Sequence, residues 1–514
     1  MLHTDLIAPI AELLRRQAAA RGSKCAFRDA QTAVTYAELY DRTGKLAGHL
    51  GDNGITTGDT VAIMLPNSVA WAESCFAITR AGGIGVPISY DATEAEILYR
   101  LIDADCKAVI TTGERGGLFA RMKNAAPNLT TIVVTDRGSC EARALRYAEL
   151  IDAQPKSPPP DPELMHDTAY ILYTSGTTGR AKGVRLTVRG MLWVTAACWT
   201  PITGLSERDM VLSPLPLFHS YALNLSVMSI LATGASVYLM EKFSTSEAVR
   251  LLRSGDFTYF PGVPTMFHYL LQATCSDLDV RFLNLRLCVS AGAIMPATLN
   301  REFENHFSVP LLDGYGITET STMVTMNWST GTRVMGSCGI PVPGLTVRII
   351  DLKGNDVAPG QEGELIVHGP NVMPGYHNKP DETRNALRSG WYYTGDLAKS
   401  DENGFLTITG RLKELIIRGG QNIAPAEIEE VANKFAAVLD CAVVGVPHEH
   451  LGEVPALFVV PRPGHAFESE ALLRHCRENL SAYKIPHTVQ VITEIPRTGS
   501  GKIIRYKLRH LIDV

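Results

Sequence analysis

The chain has 514 residues and a formal net charge of −5, with 45% hydrophobic and 20% charged residues. That length suits about three domain-sized units, and the composition is that of a soluble globular protein. Basic residues are scattered among acidic ones, which excludes a broad electrostatic footprint for nucleic acid, and no apolar run reaches the ~18 residues of a membrane span. The start MLHTDLIAPIAELL lacks the basic segment, apolar stretch and cleavage site of a secretory signal, so a cytoplasmic location is expected. The ten cysteines, Cys25, Cys75, Cys198 and Cys441 among them, are dispersed. With no CxxC and no zinc-type Cys/His spacing, reduced structural thiols are the expectation.

In chain order, VAIMLPN at 61 to 67 predicts a strand ended by Pro66, and SVAWAESCFAITRAGG predicts a helix closed by glycines. VPIS resumes as a strand, EAEILYRLIDADC as a helix and KAVITT as a strand. This βαβ alternation indicates a parallel α/β sheet. The proline-dense SPPPDP at 157 to 162 predicts an extended connector, after which AYILYTS begins another compact region. Further strands at DMVLSPLP, ASVYLM, YFPGVP and LRLCVSAGA alternate with helices at EAVRLLRSG and PTMFHYLLQATC. From about residue 340, LTVRIIDLKGN, EGELIVHG and GFLTITG read as short strands between turns. The last hundred or so residues look separate. They combine helices at PAEIEEVANKF and ESEALLRHCRENL with strands at DCAVVGV, ALFVVP and TVQVIT, and His448 and His450 in PHEHLG fit a solvated loop.

The chemistry concentrates first in YTSGTTGRAKG at 173 to 183, directly after the AYILYTS strand. Gly176, Gly179 and Gly183 let backbone N–H groups approach phosphate oxygens, Thr174, Ser175, Thr177 and Thr178 add hydroxyl donors, and Lys182 adds compact positive charge. The spacing is not that of a P-loop, since no Gly-Lys-Ser/Thr triplet occurs. A polar turn between two elements uses the same residues. Four more stretches accompany the loop: DGYGITET at 313 to 320, WYYTGDL at 391 to 397, GRLKELIIRGGQNIAPAEIEE at 410 to 430, and PRTGSGKIIR at 496 to 505.

In this order and at these separations, the five stretches resemble the AMP-forming acyl-CoA synthetase, adenylation-domain and luciferase superfamily, and are closest in kind to acyl- or aryl-CoA ligases. The resemblance spans nearly the whole chain. It implies an α/β fold: a large N-terminal region with parallel sheets plus a β-rich subdomain, and a small mobile α+β C-terminal domain. On that pattern residues 1–410 bind ATP and the acid, 411–413 form a hinge, and 414–514 carry the catalytic lysine. The resemblance also implies ATP, Mg²⁺ and coenzyme A as ligands and a carboxylic acid as substrate.

The same resemblance assigns roles residue by residue. Thr174, Glu319 and Lys502 are the expected catalytic groups, with Lys502 carried by the mobile domain into the adenylation site. A cation there would relieve repulsion between the substrate carboxylate and the α-phosphate; a solvated lysine in a basic tail with Arg497, Arg505 and Lys507 is the plainer reading. Gly314 and Gly316 flank Tyr315, whose ring is implied to stack on adenine, Thr318 contacts phosphate, and Glu319 binds Mg²⁺. Asp396 accepts from ribose hydroxyls, Arg411 contacts ribose or phosphate, and Lys413 is the hinge. Gly419 and Gly420 would admit a slim thiol-bearing arm. His219 in FHSYALN matches a histidine common among acyl- and aryl-CoA ligases, and substrate gating or a packed structural role both suit it. Phe260, Ala291, Gly292 and Ala293 are expected to shape the acyl pocket.

Amino-acid-activating relatives place an aspartate near the PLFHS position, and none stands here, so an acid without an α-amino group is expected. Coenzyme A is the expected thiol. Loading of a separate carrier protein and luciferase-like oxidation of the adenylate share these motifs, and a nucleotide-binding protein without catalysis is the reading from another class. Oligomeric state is not legible in the sequence.

Overall fold

The computed structural model describes residues 2–136, 144–174, 181–275, 281–419, 421–497 and 503–512, with only the backbone of Asn422. Two large sheets build the N-terminal part. One runs in the order Leu145–Arg146, Thr131–Val134, Cys106–Thr111, Thr60–Met64, Ile84–Pro87, Thr168–Thr174 and Lys182–Thr187. All its pairs are parallel except the last, where Thr168–Thr174 and Lys182–Thr187 form an antiparallel hairpin. The parallel strands are buried on both faces, which is why they read as continuous apolar runs.

The second sheet has a parallel centre formed by Cys25–Arg28, Ser236–Leu239, Met210–Ser213, Tyr259–Gly262, Leu287–Ser290 and Leu311–Tyr315. Antiparallel partners close its two edges. The helix Val69–Arg80 lies within the core, capped by the Ser68 hydroxyl, and nearly every one of its side chains is buried. Its buried charges are paired, Glu73 with Arg42 and Arg80 with Asp161. One continuous cluster of buried side chains draws on both large sheets, from Val61 and Tyr170 to Val211 and Leu312.

The connector at 157 to 162 does not separate two units. The strand after it joins the first sheet, with Gly85 opposite Tyr170, and Arg80 grips Asp161 at 2.8 and 2.9 Å. Beyond residue 340 a five-stranded antiparallel sheet pairs Thr346–Ile350, Gly363–His368, Trp391–Ser400 and Leu387–Arg388, with Leu406–Arg411 on the free edge of Trp391–Ser400. The C-terminal part has its own sheet of Gln421–Ile423, Ile416–Arg418, Gly452–Pro461, Val438–His448 and Thr488–Val491. The helices Pro425–Asn433 and Ser469–Asn479 pack on it around Ile428, Leu457 and Leu472. The α/β class with a β-rich subdomain and an α+β C-terminal part is therefore observed. Among the described residues no helix is long and apolar enough to cross a membrane.

One local feature escapes the sequence pattern. The helices from Val188 and from Ser220 each contain a π-helical stretch, Thr195–Trp199 and Leu223–Met228, and the two stretches pack together. Such widened turns recur at functional sites.

Candidate active site

The hairpin Thr168–Thr174/Lys182–Thr187 sets Thr174 directly opposite Lys182 at its open end. Ser175, Gly176, Thr177, Thr178 and Gly179, which the sequence places between them, lie outside the described residues. Gly183 is required by packing, because a Cβ there would stand 2.7 Å from the Ile171 side chain. The Lys182 ammonium lies 5.0 Å from the centre of the Tyr376 ring, a cation–π distance. Tyr376 in turn donates its hydroxyl to Glu319 Oε1 at 3.0 Å. Burial and the Glu319 charge push that phenol well above its ordinary range. The hairpin, residue 376 and the Thr318–Thr320 turn thus form one polar chain, tied by backbone bonds His377 N–Gly183 O at 2.7 Å and Met373 N–Glu319 O at 2.8 Å.

DGYG occupies the end of the Leu311–Tyr315 strand and the turn after it. A Cβ on Gly314 would stand 2.9 Å from the Thr325 carbonyl oxygen, and one on Gly316 would fall 1.3 Å from the Thr322 carbonyl oxygen. Thr322 itself has φ 120° and Ser321 φ 52°. A β-branched residue in that region stores strain and persists only where its surroundings overdetermine it. Here they do. Asn371 donates to Thr320 O at 2.7 Å and Met323 O at 2.8 Å, Asn224 donates to Ser321 O at 3.2 Å, and the Thr322 hydroxyl donates to Ser220 O at 2.9 Å.

Tyr315 donates its hydroxyl to Asp396 Oδ2, while Arg411 Nε stands 2.8 Å from Asp396 Oδ1. Asp396 and Arg411 are direct cross-strand partners, so the sheet itself fixes the ion pair. Asp396 is 3% exposed. Burial and the Asp396 charge raise the Tyr315 phenol, and the same carboxylate raises the Arg411 guanidinium. Asp313, just before Gly314, is buried with Oδ1 lacking any hydrogen-bond partner among the described residues, and burial pushes its carboxyl well above the usual range. Its neighbour in register, Ser290, is also buried with an unpartnered hydroxyl.

Around the residues expected to shape the acyl pocket, the Ser220 and Thr318 hydroxyls are 3.3 Å apart, which brings FHSYALN against the Thr318–Thr320 turn. His219 precedes the helix that starts at Ser220, its ring 4.2 Å from that of Phe218. Ala291 is buried at the end of the Leu287–Ser290 strand, and Gly292 turns with φ 89°. The structure does not bring Phe260 to this cluster. Strand alternation turns its ring onto Phe267 at 5.8 Å, in the core under the helices Thr245–Arg253, Pro264–Thr274 and Ala297–Phe307. Tyr221, Asn224, Asp313, Asn371 and Tyr376 were missed by the sequence reading; only Tyr221, Asn224 and Asp313 sat inside quoted motifs.

In the C-terminal part, Lys413 lies in the short turn Leu412–Glu414 that follows Arg411. Gly419 has φ 57° and donates its N–H to Leu451 O at 2.8 Å. Gly420 and Lys502 lie outside the described residues. Arg505 pairs with Glu414 at 2.9 Å and with Glu429 at 2.5 Å, which ties the C-terminal helix Arg505–Arg509 to that turn and to the helix Pro425–Asn433. Among the described residues no three His, Cys, Asp or Glu side chains are grouped to hold a metal. A single carboxylate such as Glu319 suits Mg²⁺, which is bound through one or two carboxylates together with substrate phosphates.

Residues 14–377 match the family model described as AMP-binding enzyme, and residues 427–502 match that of the AMP-binding enzyme C-terminal domain. The chain is 34% identical to a feruloyl-CoA synthase of Amycolatopsis sp, covering 94% of this chain and 95% of that protein. It is also 34% identical to a long-chain-fatty-acid–CoA ligase of Yersinia pestis, covering 98% and 94%. The crystal structure of the anthranilate CoA ligase AuaEII in complex with anthranoyl-AMP superposes with a TM-score of 0.91 at 26% identity, covering 99% of each chain. The protein belongs to the AMP-binding enzyme family, whose members among these relatives are CoA ligases and synthases.

Proposed function

We propose that the protein is an ATP-dependent, AMP-forming carboxylate–CoA ligase. The observation that carries this reading is the convergence of two polar chains, Lys182–Tyr376–Glu319 and Tyr315–Asp396–Arg411, from five separate stretches of sequence onto one face. The acid's carboxylate oxygen attacks the α-phosphorus of ATP, the α–β bridging bond breaks, and acyl-AMP and pyrophosphate result. The thiol of coenzyme A then attacks the acyl carbon, losing its proton and expelling AMP.

The Tyr315 ring offers the adenine a face. Asp396 already accepts from Tyr315 and Arg411, and a carboxylate's four lone-pair positions leave room for the ribose hydroxyls. The unpartnered Asp313 Oδ1, beside Tyr315, suits an exocyclic amine of the base. Thr174, Ser175, Gly176, Thr177, Thr178, Lys182 and Thr318 surround the phosphates, and Glu319 would hold Mg²⁺, which neutralises charge on them when bound. Lys502 supplies the cation between the two anions during adenylation. Residues 414–514 turn about 411–413 between the two half-reactions, so that Gly419 and Gly420 border the thiol path.

A panel of carboxylic acids, scored for conversion of ATP to AMP with and without coenzyme A, tests the reading. The expected result is AMP and a thioester that both require coenzyme A for turnover. Acyl-AMP that accumulates without consuming coenzyme A would point to a carrier-protein thiol, and no acid-dependent AMP at all would refute the ligase.

A further inference from the structure

A single segment, NVMPGYH at 371–377, joins the two charged parts of this site. At one end it grips the Thr318–Thr320 turn: Asn371 donates to Thr320 O at 2.7 Å, the Ser321 hydroxyl donates to Asn371 O at 2.8 Å, and the Met373 N–H donates to Glu319 O at 2.8 Å. At the other end it extends the sheet beyond its edge strand Lys182–Thr187. The Arg185 N–H donates to Gly375 O at 3.2 Å, the His377 N–H to Gly183 O at 2.7 Å, and Val184 stands opposite Tyr376 in an antiparallel bridge.

That register decides where the Tyr376 side chain goes. Residues opposite each other in an antiparallel pair share a face, as do residues two apart on one strand, so Lys182 is the diagonal neighbour of Tyr376. The ammonium accordingly rests 5.0 Å from the ring centre, while the hydroxyl at the far end of the same ring donates to Glu319 Oε1 at 3.0 Å. The buried Tyr392 phenol hydrogen-bonds to that hydroxyl. Because a carboxylate only accepts, Tyr376 gives its one proton to Glu319 and accepts from Tyr392.

A lysine and a glutamate that touch the same side chain would ordinarily pair, each cancelling the other's charge. Among the described residues no ion pair joins Lys182 to Glu319, and each instead contacts a different part of Tyr376. A ring face holds an ammonium without occupying its three N–H donors. Glu319 Oε2 likewise takes no hydrogen bond among the described residues.

Resting on the ligase reading above, we propose that Tyr376 is the positioning residue for the phosphate end of the site: its ring is the spacer that keeps Lys182 and Glu319 from neutralising each other, and its hydroxyl fixes the carboxylate that would hold Mg²⁺. A donor behind a metal-binding carboxylate orients it, and losing such a donor costs about 10–100-fold in metal affinity.

The test is calorimetric binding of ATP to the full chain without acid, in EDTA and over a range of Mg²⁺ concentrations, with the melting temperature reporting that each variant is folded. Tyr376→Phe keeps the ring and removes the hydroxyl. It should leave ATP affinity in EDTA nearly unchanged and raise the Mg²⁺ concentration that half-maximally tightens ATP binding by about tenfold or more. Tyr376→Leu removes the ring as well and should weaken ATP binding in EDTA by about three- to tenfold, a loss absent when the same substitution is made in the Lys182→Met background. A Tyr376→Phe variant that responds to Mg²⁺ as the wild type does overturns the proposal. So does one that loses ATP affinity equally with and without Mg²⁺, since that marks a merely structural role, and so does a Tyr376→Leu loss that persists in the Lys182→Met background. A wild-type chain that binds no ATP under any condition removes the ligase reading itself, a result distinct from these.

Discussion

An added methyl at Gly316 would overlap the Thr322 carbonyl oxygen, and the strained Ser321–Thr322 turn it would have to displace is held by two buried asparagines. Gly316→Ala is therefore expected to cost roughly 2–4 kcal/mol of stability, read by urea unfolding, and to abolish pyrophosphate exchange. On the proposed mechanism Lys502→Ala should slow acyl-adenylate formation by about 10²–10³ in single-turnover assays, because that mechanism then lacks its preorganised cation, while coenzyme A attack on preformed adenylate changes far less. Asp209 provides a pH signature away from the chemistry. Burial pushes its carboxyl up, but the bidentate Arg286 guanidinium, with the Thr258 hydroxyl and the Ser206 amide, more than offsets this and holds it below the usual carboxylate range. A lowered folded pKa means that the stabilisation is complete above the unfolded value of about 4 and is lost as pH falls through the folded one. Asp209→Asn should cost about 1–2 kcal/mol at pH 7, a modest figure because Arg286 is partly exposed, and the gap to wild type should close below about pH 4 in denaturant titrations.

The proline-rich connector shows how an element can contradict its composition. SPPPDP was expected to link two regions, yet it is strapped to the helix Val69–Arg80. Arg80 is 3% exposed and donates to both Asp161 oxygens, to Tyr40 O and to the Thr43 hydroxyl. Arg80→Met should cost about 3 kcal/mol, since it leaves Asp161 unpaired against the core, and should make the connector a site of early cleavage in limited proteolysis. Wild-type resistance matched by the variant would show that the strap does not hold the segment. The π-helical stretches belong to this scale as well. Their sequences, TAACW and LNLSVM, carry no periodicity that separates them from ordinary helix. Their widened turns answer to partners 25 to 34 residues away, Asn224 for Trp199 and Ser229 for Thr195.

For the molecule as a whole, the two half-reactions of the proposed ligase need the C-terminal part to take two positions, and the turn Leu412–Glu414 joins it to the edge strand that carries Arg411. Lys413→Pro fixes one backbone angle at that joint. It should leave adenylate formation nearly unchanged and slow thioester formation about tenfold or more, measured as separate single-turnover rates. Equal slowing of both steps would place the moving joint elsewhere.

The order of YTSGTTGRAKG, DGYGITET, WYYTGDL and GRLK was enough to indicate the family, and apolar runs were enough to indicate the strands, because loop chemistry and strand burial are written locally in residue type. Asp396 and Arg411 were singled out by their motifs, yet that they pair with each other follows only from strand register. Tyr376 lies in no motif, and it reaches Glu319 only because Gly183 and His377 join two distant segments by a backbone bond. Phe260 was read as lining the pocket, whereas the pleat turns its ring onto Phe267 in the core under the neighbouring helices. The sequence by itself determined which chemistry the chain carries. Only the tertiary structure decided which side chains meet, because hydrogen-bond partners, strand faces and the depth of a pocket depend on residues far apart along the chain that are packed against one another.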